Sequence, residues 1–327
     1  MILAGDIGGT KTTLAFMATE DHQNTTLREM TFPSADYDDF QEILDLFLTD
    51  LPSPERICLG VAGPVVDGRC QTTNLPWIID SMQLASGYKT RHVRLLNDLE
   101  AMALGMLHLE HDEFVDLNPE AVSTEGHRAV IAAGTGLGEA ILYWDGSRHH
   151  AMATEGGHGD FAPQSSRQDE LLVYLREKFG RHVSYERILS GAGFSALYDF
   201  LVDRGFGPAC PAIPEKQQPG ATDRNALISR LGATGEDPVC VEAMRLFVAI
   251  YAAEAGNLAL KSLARGGVYI GGGIGPKIRS ALELHDFMGH FRAKGRFESM
   301  LARIPVRLAL NAKTPLIGAM HYFDGDL

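Results

Sequence analysis

Short apolar runs on either side of a glycine-rich turn occur at two places in the chain. The run Ile2–Asp6 leads into the turn Gly8–Lys11, and a second apolar run, Thr13–Met17, follows at once. Ala129–Trp144 repeats this order, with its glycines in the segment Gly134–Gly138. Because two short apolar runs around a glycine turn are typical of a β-hairpin, the sequence predicts one hairpin at the start of each of two segments.

Apolar runs of strand length alternate with helical patterns along the rest of the chain. Strands are predicted at Ile57–Val61, Val93–Leu96 and Val268–Ile270, and helices near Phe40–Leu51 and over Leu99–Leu107. Strands interleaved with helices, together with hairpins, indicate an α/β fold with mixed sheets.

The segment 165–265 has a mainly helical pattern. Apolar residues recur at helical spacing from Met244 to Leu258 and predict one long helix. This helix is expected to end at Gly266-Gly267, because glycine commonly caps helix C-termini. The stretch Pro208–Pro219 is rich in proline and polar residues, and we expect it to form an exposed loop.

Composition and charge are those of an ordinary globular protein. The 327 residues are enough for two domains, and the 45% hydrophobic and 22% charged residues are typical of a chain that folds around its own core. The net charge of -13 argues against a nucleic-acid partner, which requires a basic face. The four cysteines are scattered and lack zinc spacing. Without a signal-peptide pattern or an apolar run of membrane length, the expected location is the cytoplasm, with no membrane partner.

The first glycine turn has the residues expected of a phosphate site. Glycines let the backbone bend through unusual angles and approach an anion closely, and successive N–H groups in such a bend form an anion-binding concavity. Asp6, at the strand end, can hold Mg²⁺ through water, while Thr10 and Lys11 add a hydroxyl and a cation. Alone, the motif fits an ordinary hairpin with a surface lysine equally well. The second turn, Gly134–Gly138, makes a pair of phosphate turns the better interpretation.

Other motifs with similar residues do not fit. A P-loop has a glycine directly before its lysine, whereas Thr10 stands there, and a strand follows instead of a helix. Gly134–Gly138 lacks the dinucleotide-fold spacing and also leads into a strand. Gly191–Ala196 has that spacing, but a helical pattern precedes it, so we interpret it as a helix–helix junction near the ligand. His149-His150 follows an Asp145-Gly146 hairpin turn and is assigned to a solvated strand, not to a metal site.

Taken together, these segments resemble the glucokinases of the sugar kinase/Hsp70/actin superfamily. The matching segments, in chain order, are Gly5–Lys11, Thr73–Trp77, Leu95–Ala101, Gly134–Gly138, Glu155–His158, Ser184–Gly193 and Gly266–Gly275. The resemblance implies an α/β, actin-like ATPase (ribonuclease H-like) fold, with two domains of mixed β-sheets flanked by helices and a cleft between them. The expected small domain is 1–115 with about 306–327, and it carries the first phosphate loop and the catalytic aspartate. The expected large domain, 116–305, carries the second phosphate loop and the sugar and adenosine loops.

The resemblance also assigns roles to individual residues. Asp98 matches the catalytic base, which takes the proton of the attacking sugar hydroxyl; without the resemblance, its place between a strand and a helix would favour a helix N-cap. The implied sugar-binding residues are Asn74, Asn97, Asp98, Glu155, His158 and Glu186. The implied nucleotide-binding residues are Asp6, Gly8, Gly9, Thr10, Lys11, Gly134, Thr135, Gly136, Gly138, Gly271, Gly272 and Gly273, and Asp6 is also the implied Mg²⁺ residue, acting through water.

One segment separates the chain from the related ROK family. In ROK proteins a cysteine-rich zinc site follows the Glu-x-Gly-His segment, whereas Gly159–Pro163 follows it here and contains no cysteine. This favours the zinc-free glucokinase branch. ROK repressors also carry a DNA-binding helix-turn-helix ahead of the kinase core. We expect none here, because the first phosphate strand begins at residue 2.

The predicted activity is therefore ATP-dependent phosphorylation of the 6-hydroxyl of glucose. ATP and Mg²⁺ are the expected cofactors, zinc is not expected, and the resemblance implies a homodimer. A kinase for mannose, fructose or an N-acetylhexosamine is an alternative, and a non-catalytic sugar sensor or an actin-like ATPase is another. The sequence does not decide the phosphoryl donor among ATP, ADP and polyphosphate.

Overall fold

The computed structural model describes residues 1–20, 23–73, 75–215 and 223–324. Its strands are β1 (Ile2–Ile7), β2 (Lys11–Glu20), β3 (Gln23–Pro33), β4 (Arg56–Val61), β5 (Val65–Val66), β6 (Arg69–Gln71), β7 (Ile78–Asp80), β8 (His92–Asn97), β9 (Phe114–Asp116), β10 (Arg128–Ala133), β11 (Leu137–Trp144), β12 (His149–Thr154), β13 (Gly267–Gly271) and β14 (Val306–Ala309). Its α-helices are α1 (Phe40–Phe47), α2 (Ser81–Tyr88), α3 (Asp98–Gly105), α4 (Ser166–Phe179), α5 (Gly191–Asp203), α6 (Arg224–Thr234), α7 (Pro238–Ser262), α8 (Arg279–Leu284), α9 (Phe287–Arg292), α10 (Glu298–Leu301) and α11 (Thr314–His321).

The chain forms two compact units. The first comprises Met1–Glu113, His150–Ala153 and Asn311–Leu327, and the second comprises Phe114–His149 and Thr154–Leu310. Strand β14 therefore belongs to the second unit, and the C-terminal helix α11 belongs to the first.

The main sheet of the first unit has the strand order β3-β2-β1-β4-β8. β1 pairs antiparallel with β2 and parallel with β4, and β4 pairs parallel with β8. β1 is a central strand in which Leu3 and Ala4 are fully buried, as a continuous apolar run predicts. A small antiparallel sheet, β5-β6-β7, lies in the same unit.

The sheet of the second unit repeats the order β2-β1-β4-β8, since its strands run β11-β10-β13-β14, with β9 added beyond β14. β10 pairs antiparallel with β11 and parallel with β13, and β13 pairs parallel with β14. In both sheets the first strand of the segment is central, its hairpin partner lies on one side and a parallel strand on the other. The two predicted hairpins, β1-β2 and β10-β11, are thus present in equivalent positions.

Helix α3 and the C-terminal helix α11 pack closely in the first unit. A Cβ atom on Gly318 of α11 would overlap the carbonyl oxygen of Ala101, and one on Gly105 would overlap that of Thr314. Leu316 and Ala319 of α11 share an apolar cluster with β1, β2, β4, β8 and α3. Glycine is required at both positions because only hydrogen fits between the two backbones.

The long helix α7 is buried almost all round, and its end differs from the prediction. Asp237 caps its N-terminus by accepting from the backbone N–H groups of Val239 and Cys240. The helix ends at Ser262, where Leu263 takes the left-handed conformation (φ 47°) and the N–H of Ala264 bonds the carbonyl of Ala259. The predicted stop at Gly266-Gly267 was wrong because those glycines lead into β13 after the cap has formed. Among the residues that the structure describes, no helix combines the length and the apolar character that a membrane crossing requires.

Candidate active site

The first glycine turn, between β1 and β2, is held by Ser34. The Gly8 N–H donates to the Lys11 carbonyl at 3.0 Å, which closes the turn. The buried Ser34 hydroxyl donates to the Gly8 carbonyl at 2.7 Å, and the Ser34 N–H donates to the Thr10 carbonyl at 3.1 Å. The turn is therefore fixed from the residue that follows β3, before any ligand binds. Sequence reasoning missed Ser34, which belongs to no recognisable motif.

The glycines of the two hairpin turns do not have a left-handed backbone angle. Of the predicted nucleotide-binding glycines, only Gly272 has a φ in the left-handed region, at 79°. A Cβ atom on Gly134 or Gly273 would meet nothing within 4 Å, so these positions face open space. The expectation that the turns need glycine for backbone bending was therefore wrong for the two hairpins, whereas close approach of a ligand remains its physical use.

Asp6 is the second-last residue of β1. Burial raises the pKa of its carboxyl to about 6, the charge of Lys11 acts in the opposite direction, and the nearby charge of Asp98 raises it further. Asp6 and Asp98 are thus close enough to interact electrostatically. A carboxylate in such surroundings is stabilised by an added cation, because the cation offsets both its burial and its acidic neighbour.

Asn97 and Asp98 stand at the junction of β8 and α3. The Asn97 side chain is the N-cap of α3, since its Oδ1 accepts from the Leu99 N–H at 2.9 Å. Its amide also donates to the Gly63 carbonyl at 3.1 Å, which ties the junction to the segment after β4. The capping role considered for Asp98 thus falls mainly to Asn97. Asp98 is the first residue of the helix, with a further bond from Leu99 N–H to its Oδ1 at 3.0 Å.

The parallel register of the first sheet explains why these groups meet. Ile7 lies beside Val61, and Val61 lies beside Asn97, so β1, β4 and β8 end at the same edge. Parallel strands bring their carboxyl ends together, and ligands of open α/β sheets bind there. The first turn, Asp6, Asn97 and Asp98 consequently form one group within the first unit.

In the second unit, Glu186 binds the second glycine turn. The turn closes through a Gly134 N–H bond to the Gly136 carbonyl at 2.8 Å, and Glu186 Oε2 accepts from the Leu137 N–H at 3.0 Å. A Cβ atom on Gly136 would overlap the Glu186 carboxylate. The Gly191 N–H, at the start of α5, donates to the Gly134 carbonyl at 2.9 Å. A predicted sugar residue and a predicted phosphate turn are therefore in direct contact.

Glu155 and His158 lie in a short turn that reaches the same place. Gly156–His158 forms one 3₁₀ turn, closed by the His158 N–H donating to the Glu155 carbonyl at 3.0 Å. His158 Nδ1 lies 3.9 Å from Glu186 Oε1, and both Glu155 and His158 are exposed. A Cβ atom on Gly157 would overlap the Leu137 carbonyl, so the turn rests on the second glycine loop.

The loop after β13 approaches the end of β10. A Cβ atom on Gly272 would overlap the Ala133 carbonyl, and the Ile274 N–H donates to the same oxygen at 3.2 Å. Ala133 directly precedes the second glycine turn. Gly271–Gly273 is therefore packed next to that turn within the second unit.

The predicted site residues thus form two groups, one in each unit. In the first are Asp6, Gly8, Gly9, Thr10, Lys11, Asn97 and Asp98; in the second are Gly134, Thr135, Gly136, Gly138, Glu155, His158, Glu186, Gly271, Gly272 and Gly273. Asn74 lies outside the described residues. His149 packs on Trp144 and its ring Nε2 bonds the Gly126 carbonyl, which accounts for it without a metal.

The comparisons with known proteins match this chain over nearly its full length. The family model described as Glucokinase matches residues 3–325. A curated glucokinase of Nostoc sp. is 39% identical over 333 aligned positions, which cover 98% of this chain and 97% of the relative. The chain belongs to the glucokinase family. The resemblance inferred from the short motifs is confirmed.

Solved structures confirm the fold of this glucokinase-family chain. The crystal structure of a glucokinase from an Antarctic psychrotroph matches with a TM-score of 0.85 at 32% identity, covering 97% of each chain. A ROK family glucokinase from Streptomyces griseus, in complex with glucose and AMPPNP, matches with a TM-score of 0.62 at 19% identity over 98% of each chain and supports the fold alone. The predicted α/β, actin-like fold is therefore confirmed.

Two buried acids near the site of this glucokinase-family chain had no place in the sequence interpretation. Glu139 on β11 and Glu254 on α7 are 1% and 0% exposed. The sequence did contain a signal for Glu254, namely an acidic residue inside an otherwise apolar helical pattern.

Within the described ranges, no group of three or more His, Cys, Asp or Glu side chains is arranged to hold a metal ion.

Proposed function

We propose that this chain transfers the γ-phosphoryl group of ATP to the 6-hydroxyl of D-glucose. The observation that carries the proposal is the group formed by the first glycine turn, Asp6 and the Asn97-Asp98 junction at one sheet edge of a glucokinase-family chain. Phosphoryl transfer requires mainly positioned charges, and this edge supplies a carboxylate, a lysine and backbone N–H groups together.

Asp98 is the proposed general base. Its carboxylate accepts the proton of the 6-hydroxyl as the hydroxyl oxygen bonds the γ-phosphorus and ADP leaves. Asn97 holds the residue in place because its side chain caps α3 and reaches the Gly63 carbonyl. This cap leaves the Asp98 carboxylate at the start of the helix, where the positive end of the helix dipole favours a negative charge.

Glu155, His158 and Glu186 are the proposed sugar contacts in the second unit. Carboxylate and imidazole groups can accept and donate bonds to neighbouring hydroxyls of a hexose. His158 Nδ1 and Glu186 Oε1 are 3.9 Å apart, which suits two adjacent hydroxyls of one ring. The contact of Glu186 with Leu137 N–H then couples the sugar contacts to the proposed phosphate turn.

Asp6 fits a magnesium ion held with the nucleotide. Magnesium is usually bound by one or two carboxylates plus substrate phosphates and water, so the single carboxylate at this position suffices. When bound, the ion would neutralise charge on the phosphates. Lys11 and the N–H groups of the two glycine turns would hold the phosphates themselves.

The proposal is tested by a coupled assay of glucose 6-phosphate formation with MgATP, run beside mannose, fructose and N-acetylglucosamine. We expect glucose to give the highest kcat/KM. A higher kcat/KM for another sugar would make that sugar the proposed substrate. Sugar-independent ATP hydrolysis would favour an actin-like ATPase. Replacing ATP with ADP or polyphosphate identifies the phosphoryl donor.

Sedimentation of the purified protein tests the proposed homodimer, and fractionation of cells tests the proposed cytoplasmic location.

The role of Asp98 has its own test. We expect Asp98→Ala to lower kcat by about 10²- to 10⁴-fold, the usual contribution of a positioned general base, while calorimetry still detects glucose binding. Glu100→Gln is the matched control, because Glu100 lies on the same helix but pairs with Arg94 at 3.4 Å. A kcat for Asp98→Ala close to that of Glu100→Gln would refute the assigned role.

A further inference from the structure

Tyr185 joins the two turns that carry proposed sugar contacts. Its backbone N–H donates to the Gly159 carbonyl at 3.1 Å, and Gly159 directly follows the 3₁₀ turn that ends at His158. Tyr185 is itself the first residue of the 3₁₀ turn that contains Glu186. One residue thus connects the segment of His158 to that of Glu186, whose side chains come within 3.9 Å of each other.

The Tyr185 side chain is buried against the segment that leaves the His158 turn. The residue is 4% exposed, and its ring packs edge-on against that of Phe161, with the centroids 5.7 Å apart. Its hydroxyl oxygen accepts from the Ala162 N–H at 3.4 Å. The backbone and the side chain of Tyr185 therefore bond the same segment at two points, Gly159 and Ala162.

Helix α7 holds the Tyr185 hydroxyl from the other side through Asn257. The Asn257 amide nitrogen donates to the Tyr185 hydroxyl at 3.2 Å and to Glu254 Oε2 at 2.8 Å, so both N–H bonds of the amide have an acceptor. Glu254 is fully buried, and Lys261 Nζ lies 3.2 Å from its Oε1. The amide is therefore bonded to a carboxylate that is itself paired.

Lys294 determines which way the Asn257 amide points. Its ammonium nitrogen donates to Asn257 Oδ1 at 2.7 Å and to the Ala253 carbonyl at 2.9 Å. Since an ammonium group has only donors, the amide oxygen has to face Lys294, and the amide nitrogen faces Tyr185 and Glu254. The Tyr185 hydroxyl is thus bonded to a donor whose orientation is fixed by its other partners.

We propose that Tyr185 is a positioning residue for the sugar site. Its hydroxyl, held by Asn257, keeps His158 beside Glu186. The sugar role of His158 and Glu186 rests on the proposed function. Without the hydroxyl, two donors in a largely buried place lose their acceptor, and the segment after His158 loses one of its two bonds to Tyr185. Because the proposed base lies elsewhere, this loss weakens sugar binding and leaves the chemical step unchanged.

The position of His158 is tested first without any sugar. Tyr185→Phe removes the hydroxyl and keeps the ring, and we expect it to shift the imidazole NMR signals of His158, which are assigned by their loss in His158→Ala. Tyr174→Phe is the matched control, since it removes a hydroxyl of the same unit that donates instead to Asp203 Oδ2 at 2.8 Å. Signals of His158 that are the same in Tyr185→Phe and the control would refute the positioning role.

A second variant guards against poor folding of Tyr185→Phe. Asn257→Ala removes the donor from α7 and leaves the tyrosine in place, so it should shift the His158 signals in the same way. Thermal unfolding of each variant shows whether it is folded.

The effect on the sugar is measured by calorimetry and kinetics with glucose. We expect Tyr185→Phe to raise the glucose Kd and KM about 3- to 10-fold, with kcat and the KM for MgATP within about twofold of those of Tyr174→Phe. In the His158→Ala background, Tyr185→Phe should change the glucose Kd by less than about twofold, because the contact that it positions is already absent. A merely structural role would raise the Kd by the same factor in both backgrounds.

Each result bears on a different claim. Shifted His158 signals with an unchanged glucose Kd would refute the role in sugar binding. An equal rise of the Kd in both backgrounds would refute action through His158. If no sugar is phosphorylated, the proposed function fails, and the glucose Kd alone then decides the positioning role. A protein that binds no glucose refutes both.

Discussion

Replacing Gly136 with alanine is expected to break the contact between the second glycine turn and Glu186. The new Cβ atom would overlap the Glu186 carboxylate, which then has to leave its 3.0 Å bond from the Leu137 N–H. A bond to a charged acceptor contributes about 1.5–3 kcal/mol. The Glu186 side chain is 32% exposed, so water replaces part of that bond, and we expect a loss of about 1–2 kcal/mol.

The effect should appear as weaker glucose binding, because the displaced carboxylate is a proposed sugar contact. A loss of about 1–2 kcal/mol corresponds to roughly 5- to 30-fold in the glucose dissociation constant. Calorimetry without nucleotide measures this constant. Gly134→Ala is the matched control: it is the same substitution in the same turn, but its Cβ atom meets nothing within 4 Å.

The comparison between the two variants tests whether Glu186 joins the second glycine turn to the sugar site. We expect Gly134→Ala to bind glucose like the wild type, and thermal unfolding should show that both variants are folded. Glucose affinity in Gly136→Ala equal to that in Gly134→Ala would refute the inference that Glu186 joins the turn to the sugar site.

Two further predictions concern stability and are measured by urea unfolding. Gly318→Ala should destabilise the first unit by about 1–3 kcal/mol, because its Cβ atom would overlap the Ala101 carbonyl. The control Gly87→Ala, whose Cβ atom would meet nothing within 4 Å, should cost no stability. Equal stability of the two variants would contradict the close packing of α3 and α11. Leu263→Gly should stabilise by up to about 1 kcal/mol, because it relieves a left-handed residue that is 56% exposed. The control Leu284→Gly, at the last residue of α8 and without a left-handed φ, should instead destabilise slightly, because glycine loses more backbone freedom on folding; a loss of similar size in both variants would refute the strain at Leu263.

The sequence was most informative where local pattern and chemistry agree. Both hairpins, β1-β2 and β10-β11, follow from apolar runs around glycines, and the strand before Asn97-Asp98 follows from its own apolar run. Strand β3 was missed because Gln23–Pro33 is largely polar, as suits the edge of a sheet. The short sheet β5-β6-β7 was missed because strands of two or three residues carry little periodicity.

The parts of the site that escaped prediction depend on contacts between distant residues. Ser34 reaches the first turn only because β3 returns antiparallel along β2. Glu139 and Glu254 are 115 positions apart, and only the packing of α7 on the second sheet brings them together. The end of α7 was misplaced for the opposite reason. Gly266-Gly267 fitted the rule that glycine commonly caps helix C-termini. In the structure, Leu263 takes the left-handed cap position that glycine usually occupies.

The packing of α11 against α3 has a consequence for the order in which the protein matures during synthesis. The apolar cluster that contains Leu316 and Ala319 also contains Ile2 and Ala4, so the first unit needs residues from both ends of the chain. At roughly 5–20 residues per second, the roughly 200 residues of the second unit take about 10 to 40 s to translate. During that interval the helix that carries Asp98 lacks its partner. The nascent chain therefore exposes this apolar face, and helix α3 is packed on both sides only after α11 has left the ribosome.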